Sequence, residues 1–390
     1  MQTTTIIRIA RQGLVALCLA GLLAFGCGRA PDPPSASREA PSLPTAALPG
    51  GPENAPDVSP RPDHALKLAA SDNAETEGTK KPRSRGPQRN AALWPFSSDS
   101  PWNTSVGSGA KYTAIDSPGF SPDGGANLNV GEWSYPVYIA KPTDPKRNFY
   151  WRDGNELIAT MRVPDDAQQD SQGDGSLIVI NDAHNAAIEM WQAARRPNGD
   201  WEGSVTVEHD LRGTGFYNDY RGTRAGGMAA TGGLIRRDEL VNHHIPHALA
   251  VAVRPKAMNR NGPNRAPYVW PASWADGGDG AGYGTSGNLY MGSLLAIPPD
   301  VDLEALDLSP QGLAVARALQ DYGAYVVDQG SGNIIYYAEP KSADILETSA
   351  DELGRLSKYL KVVPNNAKFQ IAGGGKRRRP PAPSVRVLPR

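Results

Sequence analysis

Cysteine is almost absent from this 390-residue chain, which has two, Cys18 and Cys27, both near its start. That excludes a disulfide-stapled fold and a Cys-ligated zinc site. An excess of charge of one sign is missing too, with 40 basic against 41 acidic side chains. A nucleic-acid binder needs a basic face to neutralise phosphates, so no nucleic-acid partner is expected. The apolar run from Leu14 to Phe25 is too short for a membrane span, which needs ~20 residues. Aromatic side chains are lacking between residues 28 and 93, a segment that instead holds 12 prolines. Such a composition buries too little apolar surface to offset the entropy of ordering. The chain has no G-x-S-x-G elbow, and its Gly226-Gly227 and Gly232-Gly233 clusters form neither a Walker nor a G-x-G-x-x-G loop, which weighs against a serine hydrolase and against phosphate binding there.

What is present divides the chain into four parts. Residues 1–26 read as a signal peptide, with Arg8 and Arg11 ahead of the apolar run and small residues before Cys27. The ending Leu23-Ala-Phe-Gly-Cys27 resembles a lipobox. Cys27 is therefore the expected lipidation site, and residues 27–93 the disordered Pro-rich tether behind it. This implies a bacterial envelope protein, lipid-anchored at the outer membrane or cell surface. All 8 tryptophans lie between Trp94 and Trp274, so a globular domain is expected over 94–375. Residues 376–390, with six positive charges and no acid, read as a disordered basic tail.

Within the domain the pattern is mainly β. Runs at 176–181, 187–192 and 203–208 alternate with turn formers and predict a three-stranded meander. In the second of these, Glu189 and Trp191 share the face expected to meet solvent or ligand, and Ile188 and Met190 the other. Further strands are expected at 133–140, 155–162, 247–253, 268–270, 292–297, 323–328 and 333–338. Ser309-Pro310 opens one helix, and the capping box Ser349-Ala-Asp-Glu352 a second. The expected fold is a β-sandwich or jelly roll with two short C-terminal helices; the alternative is a β-propeller.

Five sets of segments, Trp94-Pro-Phe-Ser-Ser-Asp-Ser-Pro-Trp-Asn-Thr104, Gly173-Asp-Gly-Ser-Leu-Ile-Val-Ile180 with Glu189-Met-Trp-Gln-Ala193, Gly232-Gly-Leu-Ile-Arg-Arg-Asp-Glu-Leu240 with His247-Ala-Leu249, Met291-Gly292 before Val301-Asp-Leu303, and Leu319-Gln-Asp-Tyr-Gly-Ala-Tyr-Val-Val-Asp328, together resemble a largely uncharacterised family of secreted bacterial proteins. The resemblance covers most of 94–366 and implies a secreted, envelope-associated domain. It implies no catalytic residue.

The chemistry read from the residues themselves points to polysaccharide. Tryptophan faces suit the C–H faces of sugar rings, and acids and amides suit hydroxyls. Trp102, Asn103, Trp191, Tyr220 and Trp270 are the expected substrate-binding residues. A glycoside hydrolase needs a carboxylate pair across a cleft, for which Glu189, Asp238 and Glu239 are candidates. A polysaccharide lyase needs a cation and a proton-transfer group, for which Arg236 and His247 serve with a tyrosine such as Tyr217, Tyr220 or Tyr322. A non-catalytic glycan-binding or surface-adhesion protein is the third reading. No metal or cofactor is expected, since His243, His244 and His247 lack a zincin spacing. The acidic loops 165–175 and 276–280 offer oxygen ligands for a structural calcium as an alternative. The protein is expected to act as a monomer.

Overall fold

A computed structural model of the chain describes residues 87–386, except 173, 219–220, 277–281 and 347–348. The chain divides into two units, Met1–Gly50 and Gly51–Arg390, and every described residue lies in the second. The signal peptide, Cys27, most of the tether and Tyr220 lie outside the described residues. Among the described residues no helix is long and apolar enough to cross a membrane.

Strand outweighs helix, 26% against 16%, in several sheets of which none closes into a barrel. The chain is therefore β-rich. The sheets contain two, four, four and seven strands, not the repeated four-stranded blades of the propeller alternative. The expected meander forms: Ala186–Trp191 pairs antiparallel with Leu177–Ile180 on one side and with Val205–Asp210 on the other, and Val137–Ile139 extends that sheet. Because side chains alternate, Leu177, Val179, Ile188 and Met190 project to one face. There they pack with Phe149, Met161 and Trp201 of a second four-stranded sheet. The opposite face carries Ile178, Ile180 and Ala187 into the main core.

That core is shared with the seven-stranded mixed sheet, in which Leu249–Val253 lies between Ala324–Gln329, the central strand, and Ile334–Tyr337. Leu249–Val253 is buried at every position, as expected for a strand covered on both faces. The segment 222–236 runs through the same core, with Met228, Ala229, Ala230 and Leu234 in one buried cluster with Ile178 and Val251. Gly232 and Gly233 allow that approach. A Cβ on Gly232 would stand 2.3 Å from the Trp102 ring, and Gly233, at φ +68°, would meet the Ala250 nitrogen at 2.5 Å.

Helix Pro310–Asp321 begins as its sequence predicts, with the Ser309 hydroxyl accepting the Gly312 N–H at 3.0 Å. The second expected cap does not form. Ser349 makes no capping hydrogen bond, because Glu352 reaches across to Ser309, accepting its N–H at 3.0 Å and its hydroxyl at 2.7 Å. One carboxylate thus ties the two helices together at their N-termini.

Both ends of the domain extend past the expected boundaries. Gln88–Arg89, read as tether, pairs in parallel with Ser384–Val385, read as disordered tail. Arg89 is buried; its Nε donates to the Pro383 carbonyl at 2.7 Å and its other nitrogens to the carbonyls of Trp94, Pro95 and Phe96. Arg378 and Arg379 lie 3.3 and 2.7 Å from the largely buried Asp321 carboxylate. Charge does not keep this segment in solvent because Asp321 and backbone carbonyls neutralise it locally. Truncation after Gly375 is expected to destabilise the domain by about 1–3 kcal/mol, since both arginines are partly solvated but Asp321 loses its partners. Urea unfolding measures this, and an unchanged midpoint would restore the free-tail reading.

Candidate functional site

The expected catalytic acids do not share a cleft. Glu189 is fully buried, not solvent-facing. Its sheet is covered on both sides, so the face opposite Ile188 and Met190 meets the 222–236 segment instead of water. One carboxylate oxygen accepts the Ala230 N–H at 2.7 Å and the Thr223 hydroxyl at 3.1 Å; the other accepts the Thr231 N–H at 2.7 Å and the Thr231 hydroxyl. Burial raises the Glu189 pKa, but His209 and these donors outweigh burial and bring it down to about 2. Glu189 is ionised throughout the physiological range.

Arg236, Glu239 and His247 do come together, as a closed ion-pair network. Glu239 accepts the Arg236 N–H at 2.8 Å and lies 2.8 Å from His247 Nε2. Arg236 Nε bonds Glu339 at 3.0 Å, and its Nη1 bonds the Ala92 carbonyl at 3.0 Å. All four side chains are buried. Asp238, the next acid on helix Arg237–Val241, faces solvent. Trp102, Asn103, Arg236 and His247 line one cleft, but its volume is about 10 Å³, room for roughly one water and not for a sugar ring. Trp102 is buried against Phe216 at 4.9 Å and Tyr325 at 5.4 Å. Asn103 spends its amide on the carbonyls of Pro95 and Ser97 and its oxygen on Trp94 Nε1. These residues hold the fold and do not present a surface for substrate.

His247 makes this network sensitive to pH. Its Nδ1 meets the Ala248 carbonyl at 2.9 Å and its Nε2 the Glu239 carboxylate. Neither partner donates, so both contacts are hydrogen bonds only when the ring is protonated on both nitrogens. Burial lowers its pKa and Arg236 lowers it further, but Glu239 and the Ala248 carbonyl outweigh them and the net shift is upward. A folded-state pKa above the unfolded one gives stability that is complete below about pH 6.5 and is lost as pH rises through the elevated value. The urea midpoint is expected to fall over that interval, and His247→Gln to flatten the fall. A flat wild-type profile would show that His247 titrates normally.

Trp191 is half-buried and donates Nε1–H to Asp174 at 3.1 Å. Trp270 is half-buried, tilted at 6.4 Å from Phe216. In the 165–175 loop, Asp165 is paired with Arg147 at 3.1 Å and Arg195 at 3.3 Å. Among the described residues no group of three or more His, Cys, Asp or Glu gathers in a form that holds a metal ion. Residues 277–280 of the second acidic loop lie outside the described residues.

Two arrangements were not singled out from the sequence. In the first, His209 stands between Glu189 and Tyr217: its Nε2 is 3.1 Å from Glu189 Oε2, off the line of a regular hydrogen bond, and its Nδ1 is 2.7 Å from the Tyr217 hydroxyl. Tyr217 is half-buried at the outer end of this chain of groups. Glu189 opposite Nε2 favours the Nε2–H tautomer, which leaves Nδ1 to accept the phenol proton. Part of the signal was available, since His209 directly follows the expected strand 203–208 beside that of Glu189, and the observed strand Val205–Asp210 places both on one face. In the second, Arg224 is sandwiched between Tyr135 and Tyr337, with 4.3 and 3.6 Å from its guanidinium carbon to the ring centres. Nearby, burial raises the Asp328 carboxyl, Arg224 lowers it, and Asp276 and Asp174 raise it again, to about 7. The Thr223 carbonyl accepts from Tyr135 at 3.3 Å while its hydroxyl donates to Glu189, so the two arrangements adjoin. No family model, no curated protein and no solved structure matches the chain.

Proposed function

We propose that the protein cleaves an acidic polysaccharide by β-elimination, with Tyr217 as the proton-transfer group. The observation that carries this reading is the Tyr217–His209–Glu189 chain of contacts. It has the logic of an activated hydroxyl: an ionised carboxylate fixes an imidazole tautomer, and the imidazole accepts the hydroxyl proton. His209 replaces His247 in the expected set, and Tyr217 is one of the tyrosines already named. The phenol proton passes to His209 Nδ1, and the phenolate oxygen takes the proton from the carbon bearing the uronate carboxyl. That electron pair forms the ring double bond as the adjacent glycosidic C–O bond breaks. The departing oxygen receives a proton from the His209 imidazolium through Tyr217, so a C–H and a C–O bond are replaced by a C=C π bond and an O–H bond with no water consumed.

The same reading places the domain on a lipid-anchored tether in the bacterial envelope, near cell-wall or surface glycan. It takes the two four-stranded sheets packed through Phe149, Met161, Trp201, Ile188 and Met190 as a β-sandwich. Hydrolysis is the second reading, supported by Asp328, whose carboxyl titrates near 7 beside Asp276. An acid of raised pKa near a second carboxylate is the division of roles that glycosidases use.

One assay separates them. The full chain is incubated with uronate polymers and neutral glucans, and both ultraviolet absorbance of the unsaturated product and reducing ends are read. Elimination yields both signals on uronate polymers, and Tyr217→Phe lowers the rate by roughly 10²–10⁴-fold. Reducing ends without absorbance would transfer the reading to hydrolysis. Absence of both, with polymer binding retained, would leave a glycan-binding protein.

A further inference from the structure

Three arginines are buried among the described residues: Arg89, Arg224 and Arg236. Arg89 and Arg236 direct their guanidinium groups at carbonyls and a carboxylate. Arg224, the most buried at 1% exposure, has no hydrogen-bond partner at Nε or Nη2. A buried donor without an acceptor costs about 1–3 kcal/mol, more when charged, and native proteins contain few. Arg224 lies over the rings of Tyr135 and Tyr337, which stabilise the cation without using its N–H groups, and the nearby Asp328 charge acts on it without a hydrogen bond to Nε or Nη2. What they leave is the edge formed by Nε–H and Nη2–H. Those two parallel donors match the two oxygens of a planar carboxylate.

We propose that the Nε/Nη2 edge of Arg224 is a binding site for the carboxylate of a uronic acid. The proposal rests on the β-elimination reading for its choice of sugar acid, and on the unpartnered edge for the site itself. Tyr135 links the two, since its ring covers Arg224 and its hydroxyl reaches the carbonyl of Thr223, the same residue whose hydroxyl donates to Glu189. A free carboxylate held in the fork is also the group whose neutralisation makes the neighbouring C–H acidic. With Arg224 this deeply buried, the neighbouring side chains must part to admit a ligand, and association is expected to be slower than the 10⁵–10⁷ M⁻¹s⁻¹ (order of magnitude) of an open protein surface.

The test uses galacturonate, its methyl ester and galactose as probes, with thermal shift and calorimetric titration on the full chain. Galacturonate is expected to bind saturably and raise the melting temperature, while the ester and galactose do not. Arg224→Lys is expected to weaken binding at least about tenfold, because an ammonium cannot reproduce the fork. Tyr217→Phe is expected to keep this binding while losing cleavage, so that failure of the cleavage chemistry and failure of the carboxylate site are read separately. The proposal is overturned if wild type binds the acid no better than its ester, or if Arg224→Lys binds it equally well. Should Arg224→Lys fail to fold, the acid-against-ester comparison on wild type decides alone.

Discussion

Replacing Glu189 with alanine is expected to destabilise the domain by about 3–5 kcal/mol, because several buried donors lose their acceptor at about 1–3 kcal/mol each. The side chain is fully buried and accepts from Ala230, Thr231 and Thr223 while facing His209. Without it, two backbone N–H groups and the hydroxyls of Thr223 and Thr231 lose their acceptor in a space closed to water. For a domain of this size each kcal/mol is ~2–4 °C, so the melting temperature is expected to fall by on the order of 10 °C. A solvent-facing glutamate would change it by less than about 0.5 kcal/mol, so calorimetry distinguishes the two placements cleanly. The carboxylate's own protonation gives a second check. Its pKa of about 2 lies below the ordinary value of 4.5, so its contribution is present above pH 4.5 and is lost as pH falls toward 2.

Trp102→Ala is expected to cost a similar ~3–5 kcal/mol, the range for removing a buried aromatic and leaving a cavity. Trp102 stacks on Phe216, meets Tyr325 edge-on and fills the space that Gly232 and Gly233 leave. Neighbouring rings cannot close that space, since the backbone of 232–233 is held against Ala250. Chemical unfolding measures the loss. A cost below about 1 kcal/mol would return Trp102 to the role of a sugar platform that its composition suggests.

These two residues show how far sequence pattern carries. The strand over Ala186–Trp191, its two antiparallel neighbours and the all-apolar strand Leu249–Val253 were legible, because alternation and turn residues act locally. The helix over Pro310–Asp321 was legible for the same reason. Which face of a strand meets water was not. Glu189 alternates with Ile188 and Met190 as a solvent residue does, and only the return of residues 223–231 over that face shows that its polar partners are supplied from elsewhere in the chain. Glu352 makes the same point from a helix: the local spacing predicts a bond within its own cap, and a helix 40 residues earlier in sequence takes the carboxylate instead. Trp102, Asn103, Arg236 and His247 do line one cleft, but residue type could not reveal that its volume is only about 10 Å³. Arg224 gave no signal at all, since an arginine's missing partner is a property of its surroundings.

The parallel pairing of Gln88–Arg89 with Ser384–Val385 also governs how the domain bears mechanical load. Parallel strands run in the same direction, so the chain enters at one end of this short ladder and leaves at the other. A pull applied between residue 87 and residue 386 is directed along the strands. It strains the Arg386 N–H to Arg89 carbonyl bond, at 2.7 Å, and the Arg89 side-chain bond to Pro383 together in shear, instead of opening them one after another. A domain held at its amino end and dragged at its carboxyl end therefore resists through this two-residue ladder before any force reaches the sheets behind it.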